Sequence, residues 1–331
     1  MRHHAPRLAA LCLGLLLAAL PGAAPGQSMP ERLVQSLEGV FGAHAGQRRA
    51  HPKGLCVAGE WSSTGAGAAL STAPSLAAGT RVPVEGRFSL AGGNPNAPDN
   101  VDNARGLALH MVVPGGQAHD FVLISAPLFG VRTPEDFATN LENRRPDPGT
   151  GRPDQARIAA WVAAHPEATR QAAWIRANPP SDSYATAPYF GVHTFLFRDA
   201  AGKVSPARWR FEPVEGRRGL TAEDRQRLGA DFLAGEIAAR LARGPAEWRV
   251  FLVFPEPGDV LTDATVAWPE ERRSLEVARL RLDRVAPPEA CERRLFSPIA
   301  LPDGIAPSDD PILAIRTAAY AVSFAKRVRG Q

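Results

Sequence analysis

Residues Arg105 to Ser125 constrain the fold more than any other stretch of the chain. Arg105-Gly106-Leu107-Ala108-Leu109-His110-Met111-Val112-Val113 is a β-prone run, Pro114-Gly115-Gly116 a turn, and His119 to Ser125 a second run. So short a link makes an antiparallel hairpin, because a parallel return needs a crossover of a dozen residues or more. The arrangement recurs: Tyr189 to Phe197 and Ala207 to Pro213 flank the turn Asp199-Ala200-Ala201-Gly202-Lys203. Further strands are predicted at Gly54 to Trp61, at Arg81 to Leu90 with turns breaking it, at Trp248 to Phe254 and Glu276 to Arg284, and a short one at Arg293 to Phe296. Helical signals fall between groups of strands. Met29 to Phe41 places Leu33, Val34, Leu37, Val40 and Phe41 on one side, and Thr133 caps a helix that opens with Pro134 and runs through Asn143. Ile158 to Ala177 and Thr221 to Leu241 are two more. The pattern predicts an α+β fold, an antiparallel eight-stranded barrel with inserted and C-terminal helices; a parallel sheet requires strand–helix alternation.

Composition narrows the class. The 331 residues carry a formal charge of only +4 with arginines scattered along the chain, which does not indicate nucleic-acid binding. The start Met1-Arg2-His3-His4-Ala5-Pro6-Arg7 is basic, Leu8 to Leu20 is apolar, and Pro21-Gly22-Ala23-Ala24-Pro25-Gly26 is made of small residues. Residues 1–26 therefore read as a secretory signal peptide, cleaved near residues 24–26, leaving one domain at 27–331 in the periplasm or outside the cell. No later segment is long and apolar enough for a membrane span. The mature chain keeps Cys56 and Cys291, which form either one disulfide or two buried thiols.

Common site motifs are absent: no Gly-x-Gly-x-x-Gly, no Gly-Lys-Ser/Thr, no Gly-x-Ser-x-Gly and no Cys-x-x-Cys. The last helix carries a different signal. Asp310 suits an N-cap and Pro311 a first helical position, and Arg316 and Tyr320, four residues apart, share a face. Such an arginine can hold a phenolate, although free tyrosine titrates near pH ~10. A metal can hold one too.

The motifs, taken in order, resemble those of haem catalases over about residues 40 to 330. Arg48-x-x-His51-x-Lys53-Gly54 is similar to the segment bearing that family's distal histidine, and Arg87-Phe88-Ser89 to the strand whose arginine reaches a haem propionate. Asp102-x-x-Arg105-Gly106-Leu107-Ala108 resembles the family's Asp-Pro-Arg-Gly-Phe-Ala. Pro127-Leu128-Phe129 with Arg132-x-Pro134-x-x-Phe137 resembles the segment carrying two phenylalanines beside the haem, and Gly191-Val192-His193-Thr194-Phe195 the family's Gly-Ser-His-Thr-Phe. Arg316-Thr317-Ala318-Ala319-Tyr320 resembles the helix whose tyrosine binds the iron, with Arg327 where a further propionate-binding arginine is expected.

The resemblance implies a catalase-like barrel holding haem b, with Tyr320 as iron ligand and Arg48, Arg87, Phe129, Phe137, Arg316 and Arg327 around the cofactor. It implies His51 as the catalytic base and acid, assisted by Ser89, and a chain Tyr320–Arg316–His193–Asp310 in which His193 and Asp310 orient the arginine. The sequence departs from the family at Val122-Leu123-Ile124-Ser125-Ala126-Pro127, where catalases read Val-Gly-Asn-Asn-Thr-Pro. Ile124 offers no hydrogen bond to peroxide, and loss of one positioned donor costs on the order of 3 kcal/mol at a transition state. The histidine-rich NADPH contact region has no counterpart, so no NADPH is expected, and the small exported catalase-related peroxidase branch fits best. The expected partners are peroxide and a small organic reductant, in a monomer or small homo-oligomer. Conversion of fatty-acid hydroperoxides and haem binding without turnover are the alternatives.

Overall fold

The computed structural model describes residues 26–331. The export signal expected at residues 1–26 lies outside these, apart from Gly26. The elements are α1 (Met29–Phe41), β1 (Gly54–Ser63), β2 (Arg81–Leu90), β3 (Arg105–Val112), β4 (Ala118–Ile124), α2 (Pro134–Arg144), α3 (Gln155–Ala164), α4 (Arg170–Ala177), β5 (Tyr189–Phe190), β6 (Phe195–Arg198), β7 (Val204–Pro213), α5 (Ala222–Arg227), α6 (Phe232–Arg243), β8 (Ala246–Val253), β9 (Ser274–Val285), β10 (Ile305–Pro307) and α7 (Pro311–Val328).

Ten strands form one sheet in the order β10-β6-β7-β5-β4-β3-β2-β1-β9-β8, and β7 also pairs with β8. That last pairing, Arg208 with Val253 through Pro213 with Trp248, closes an eight-stranded antiparallel barrel and leaves β6 and β10 as a spur. Closure removes the unpaired edges that an open sheet of this size would present. The predicted barrel is borne out. Its core is aromatic: Trp61, Trp209, Trp248, Phe88 and Phe211 are fully buried, and Phe121 stacks on Trp61 at 5.2 Å. Burial of each such side chain contributes about 1.5–3 kcal/mol. Two of the indole nitrogens are satisfied by backbone, Trp61 donating to the Ser75 carbonyl and Trp248 to that of Ala187, both at 2.9 Å.

Several boundaries differ from the sequence expectation. Arg81–Leu90 is one unbroken strand, since Pro83 pairs only with β1 and the β3 ladder begins at Glu85, so its missing N–H is not needed there. Tyr189–Phe197 is two strands, because residues 191–194 leave the ladder. Ile158–Ala177 is broken at Pro166, and Thr221–Leu241 is broken after Arg227. Arg293–Phe296 is not a strand; the carbonyl of Arg294 instead accepts from Arg48, and Ile305–Pro307 pairs with β6.

Cys56 on β1 and Cys291, beyond β9, form a disulfide with their Cα atoms 5.6 Å apart, which decides between the two alternatives for these thiols. The bond closes a loop of sequence separation 235. Replacing both cysteines with serine is expected to lower stability by about 2–5 kcal/mol, measured as the denaturant midpoint; an unchanged midpoint would show that the flanking strands hold this region without it.

Candidate active site

Alternation along a strand sends neighbouring side chains to opposite faces. On β2, Phe88 and Leu90 enter the barrel core, while Arg87 and Ser89 face outward. On β3 and β4, Leu109 and Phe121 join the core and Ala108, Val122 and Ile124 face the same way as Arg87. Helices α1, α2 and α7 cover this outer surface and enclose a cavity of about 400 Å³, walled mainly by apolar side chains.

His51 lines the cavity. Its backbone has φ +57, the only positive value at a non-glycine residue among those described, and its amide donates to the Gly92 carbonyl at 2.7 Å. Its Nδ1 lies 3.0 Å from Ser89 Oγ. Gly106 makes room for this pair, because a Cβ there would come within 2.9 Å of His51 Nδ1 and collide with Ser89 Oγ. Burial, with the nearby cations of Arg87, Arg316 and Arg48, pushes His51 down to about 3, so the ring is neutral at ordinary pH. With Nδ1–H given to Ser89, Nε2 presents its lone pair to the cavity.

Tyr320 and Arg316 line the same cavity from α7. Arg316 Nε donates to Tyr320 Oη at 2.8 Å, the i, i+4 contact expected on one helix face. Asp310 has two tasks: Oδ1 accepts from the amides of Ile312 and Leu313 as the N-cap, and Oδ2 lies 2.8 Å from His193 Nδ1. Both residues are almost fully buried. Burial, with Arg316 adding to it, lowers His193 to about 4 although Asp310 opposes the shift. The expected four-residue chain is made at its two ends but not in the middle: His193 Nε2 has no hydrogen-bond partner among the described residues and Arg316 turns its Nε to the tyrosine. The arginine acts on His193 through charge rather than by a direct bond.

Arg48, Arg87 and Arg327 also line the cavity and gather around Glu292. Burial and the neighbouring arginines Arg87 and Arg327 bring Arg48 down to about 9, partly opposed by Glu292. Burial works against ionisation of Glu292, but Arg87, Arg48 and Arg327 together hold its carboxyl below the usual range. Phe129 and Phe137 meet edge-to-face at 5.7 Å in the cavity wall. All nine residues expected in direct contact with the cofactor or peroxide thus line one space, with His193 and Asp310 behind Arg316.

Sequence reasoning missed two contributions. Helix α1 was legible as amphipathic, but nothing in its periodicity said that Leu33, Val34, Leu37 and Phe41 would wall the cavity rather than the barrel core. It is pinned by Glu38, which bonds Arg49 at 2.6 Å and Lys326 at 2.7 Å. Glu292 follows Cys291 in a stretch without a motif, and only the fold brings it to the arginines.

A closed antiparallel barrel with a histidine and a tyrosine–arginine pair lining one apolar, arginine-bearing cavity under its helices defines the class: a barrel protein with an enclosed site between sheet and helices. The chain belongs to the catalase family, whose family model, described as Catalase, matches residues 34–331. It is 39% identical over 325 residues to a catalase-related peroxidase of Synechococcus elongatus, covering 98% of this chain and 95% of that one. To a catalase-related peroxidase of Mycolicibacterium paratuberculosis it is 32% identical, covering 91% and 96%. Among solved structures, catalase A from Saccharomyces cerevisiae superposes with a TM-score of 0.77 at 21% identity, covering 86% of this chain and 62% of that one.

Gly106→Ala is expected to destabilise the protein by about 1–3 kcal/mol by forcing apart the Ser89–His51 pair, as read from denaturant unfolding. A neutral result would mean that His51 is free to move aside.

Proposed function

We infer that this chain is a haem-dependent peroxidase that reduces hydrogen peroxide or organic peroxides with an organic electron donor, in defence against oxidative stress, and that it works after export to the periplasm or medium. The observation that carries the reading is that a neutral His51 and the Tyr320–Arg316 pair line one and the same apolar cavity. The two relatives, both peroxidases by name, support it, and nothing in them favours hydroperoxide rearrangement or haem storage.

The residues present fit haem. Apolar walls suit a macrocycle, the cluster of Arg48, Arg87 and Arg327 suits propionates, and the phenol offers an anionic oxygen for ferric iron. Both described cysteines are in the disulfide and unavailable for covalent attachment, which supports haem b held without a thioether. Tyr320 Oη would be the iron ligand, with Arg316 Nε–H holding its negative charge; Phe129 and Phe137 would flank the ring. When bound, haem supplies the two electrons that cleave the peroxide and recovers them from the donor.

The protein's own part is proton handling and exclusion of water. His51 Nε2 accepts the proton of the bound peroxide and delivers it to the departing oxygen, which leaves as water or an alcohol. Ser89 keeps the ring turned so that Nε2, not Nδ1, faces the substrate. Ile124 adds no donor on that side, so a second peroxide is poorly oriented for oxidation and disproportionation is weak.

His51→Ala is expected to retain haem while losing peroxide-dependent oxidation of a phenolic donor by about 10²-fold or more; full activity in that variant would overturn the reading. Ile124→Asn is expected to raise oxygen release from hydrogen peroxide by at least about tenfold, followed with an oxygen electrode. Because His51 is held near 3 rather than 6.5, it stays unprotonated as pH falls. The wild-type rate is therefore expected to show no histidine-like loss between about pH 8 and 5, whereas a midpoint near 6.5 would contradict a buried neutral base.

A further inference from the structure

Arg87 has three of its five N–H groups committed inside the protein. Nε donates to Glu292 Oε1 at 2.6 Å, Nη1 to the His51 carbonyl at 2.8 Å and Nη2 to the Pro52 carbonyl at 2.8 Å. Gly54 leaves space for this arrangement, since a Cβ there would stand 2.8 Å from Arg87 Nη1. A guanidinium is planar, so a bond along its Nε edge fixes the direction of the donors on the other side. Those donors meet the backbone of His51, whose left-handed conformation persists only where its surroundings impose it. Glu292 is fixed in turn. It follows disulfide-bonded Cys291, whose carbonyl accepts from Arg48 Nη2 at 3.0 Å, and its Oε2 lies 3.4 Å from Arg48 Nε.

We propose that Glu292 is a positioning residue for His51: its carboxylate orients Arg87, and Arg87 holds the His51–Pro52 backbone so that the imidazole is presented to the cavity. Arg87 is then divided between the distal loop and the cofactor, and Arg48 and Arg327 carry more of the propionate charge. An amide at position 292 cannot replace the carboxylate, because its NH₂ would face Arg87 Nε–H or Arg48 Nε–H, donor against donor. What His51 does with its position rests on the peroxidase reading; the positioning itself belongs to the chain alone.

The test compares wild type, Glu292→Gln and Glu292→Asp. Backbone hydrogen exchange is measured around His51 in the protein without haem, and haem affinity and the rate of cyanide association in the ferric haem-loaded protein. Cyanide arrives as HCN and must give up its proton, so its rate reports the distal base without turnover. Glu292→Gln is expected to speed exchange at the His51 amide and to slow cyanide association, each by about tenfold, with haem still bound, and Glu292→Asp to recover part of both. Unchanged exchange and cyanide rates would overturn the proposal, as would a fall in haem affinity alone, which would place Glu292 at the cofactor end only. Should the chain bind no haem, the peroxidase reading fails, and exchange at His51 alone decides this proposal. If Glu292→Gln does not fold, the same exchange comparison with Glu292→Asp decides it.

Discussion

Strand β2 has no idle face. Phe88 and Leu90 are locked into the barrel core, so Arg87 and Ser89, each one residue away, must point into the cavity at a fixed height. Ring closure through β7 and β8 makes that wall stiff, because no strand of the barrel has a free edge along which to slip. The position of His51 follows from it: Ser89 holds its ring, and Arg87 holds its backbone. A shift of β2 by one residue would exchange core and site together and destroy both.

Tyr320 and His51 are held in place differently. On the Tyr320 side the support is helical, with Asp310 capping α7 while it anchors His193, so the start of the helix and the environment of Arg316 are set by one buried carboxylate. On the His51 side the support comes from the barrel and from Glu292, and the base is kept neutral by burial among cations. Three arginines around one carboxylate leave the end of the cavity positively charged, which matches a cofactor that brings carboxylates of its own. Burial and these same charges keep His51 in its neutral form, the form that has a ring lone pair to offer.

Much of this was legible in the chain. Hairpins with three- to five-residue links, alternating strands and capped helices are local signals, and they led to the barrel. The Arg316–Tyr320 pair was legible as neighbours on one helix face, but its role, and the positions of His51 and Arg87, came from a family resemblance, since single residues in loops and strands carry no such signal. What remained hidden depends on long-range geometry. The disulfide required two cysteines 235 residues apart to approach, and Glu292 required the same approach. The break at residues 191–194 takes His193 out of the ladder, where its Nδ1 reaches Asp310. The link from Arg316 to His193 was implied by the family resemblance, but Arg316 turns its Nε to Tyr320 and His193 Nε2 has no partner among the described residues.

The central proposal is that Tyr320 binds iron under the charge of Arg316, in the cavity that His51 also lines. Resonance Raman spectroscopy of the haem-reconstituted ferric protein, excited in the phenolate-to-iron charge-transfer region, tests it most directly. The account predicts phenolate vibrations that shift with ring-labelled tyrosine and vanish in Tyr320→Phe. A spectrum with histidine or water as the sole axial ligand, or phenolate bands that survive in Tyr320→Phe, would contradict it.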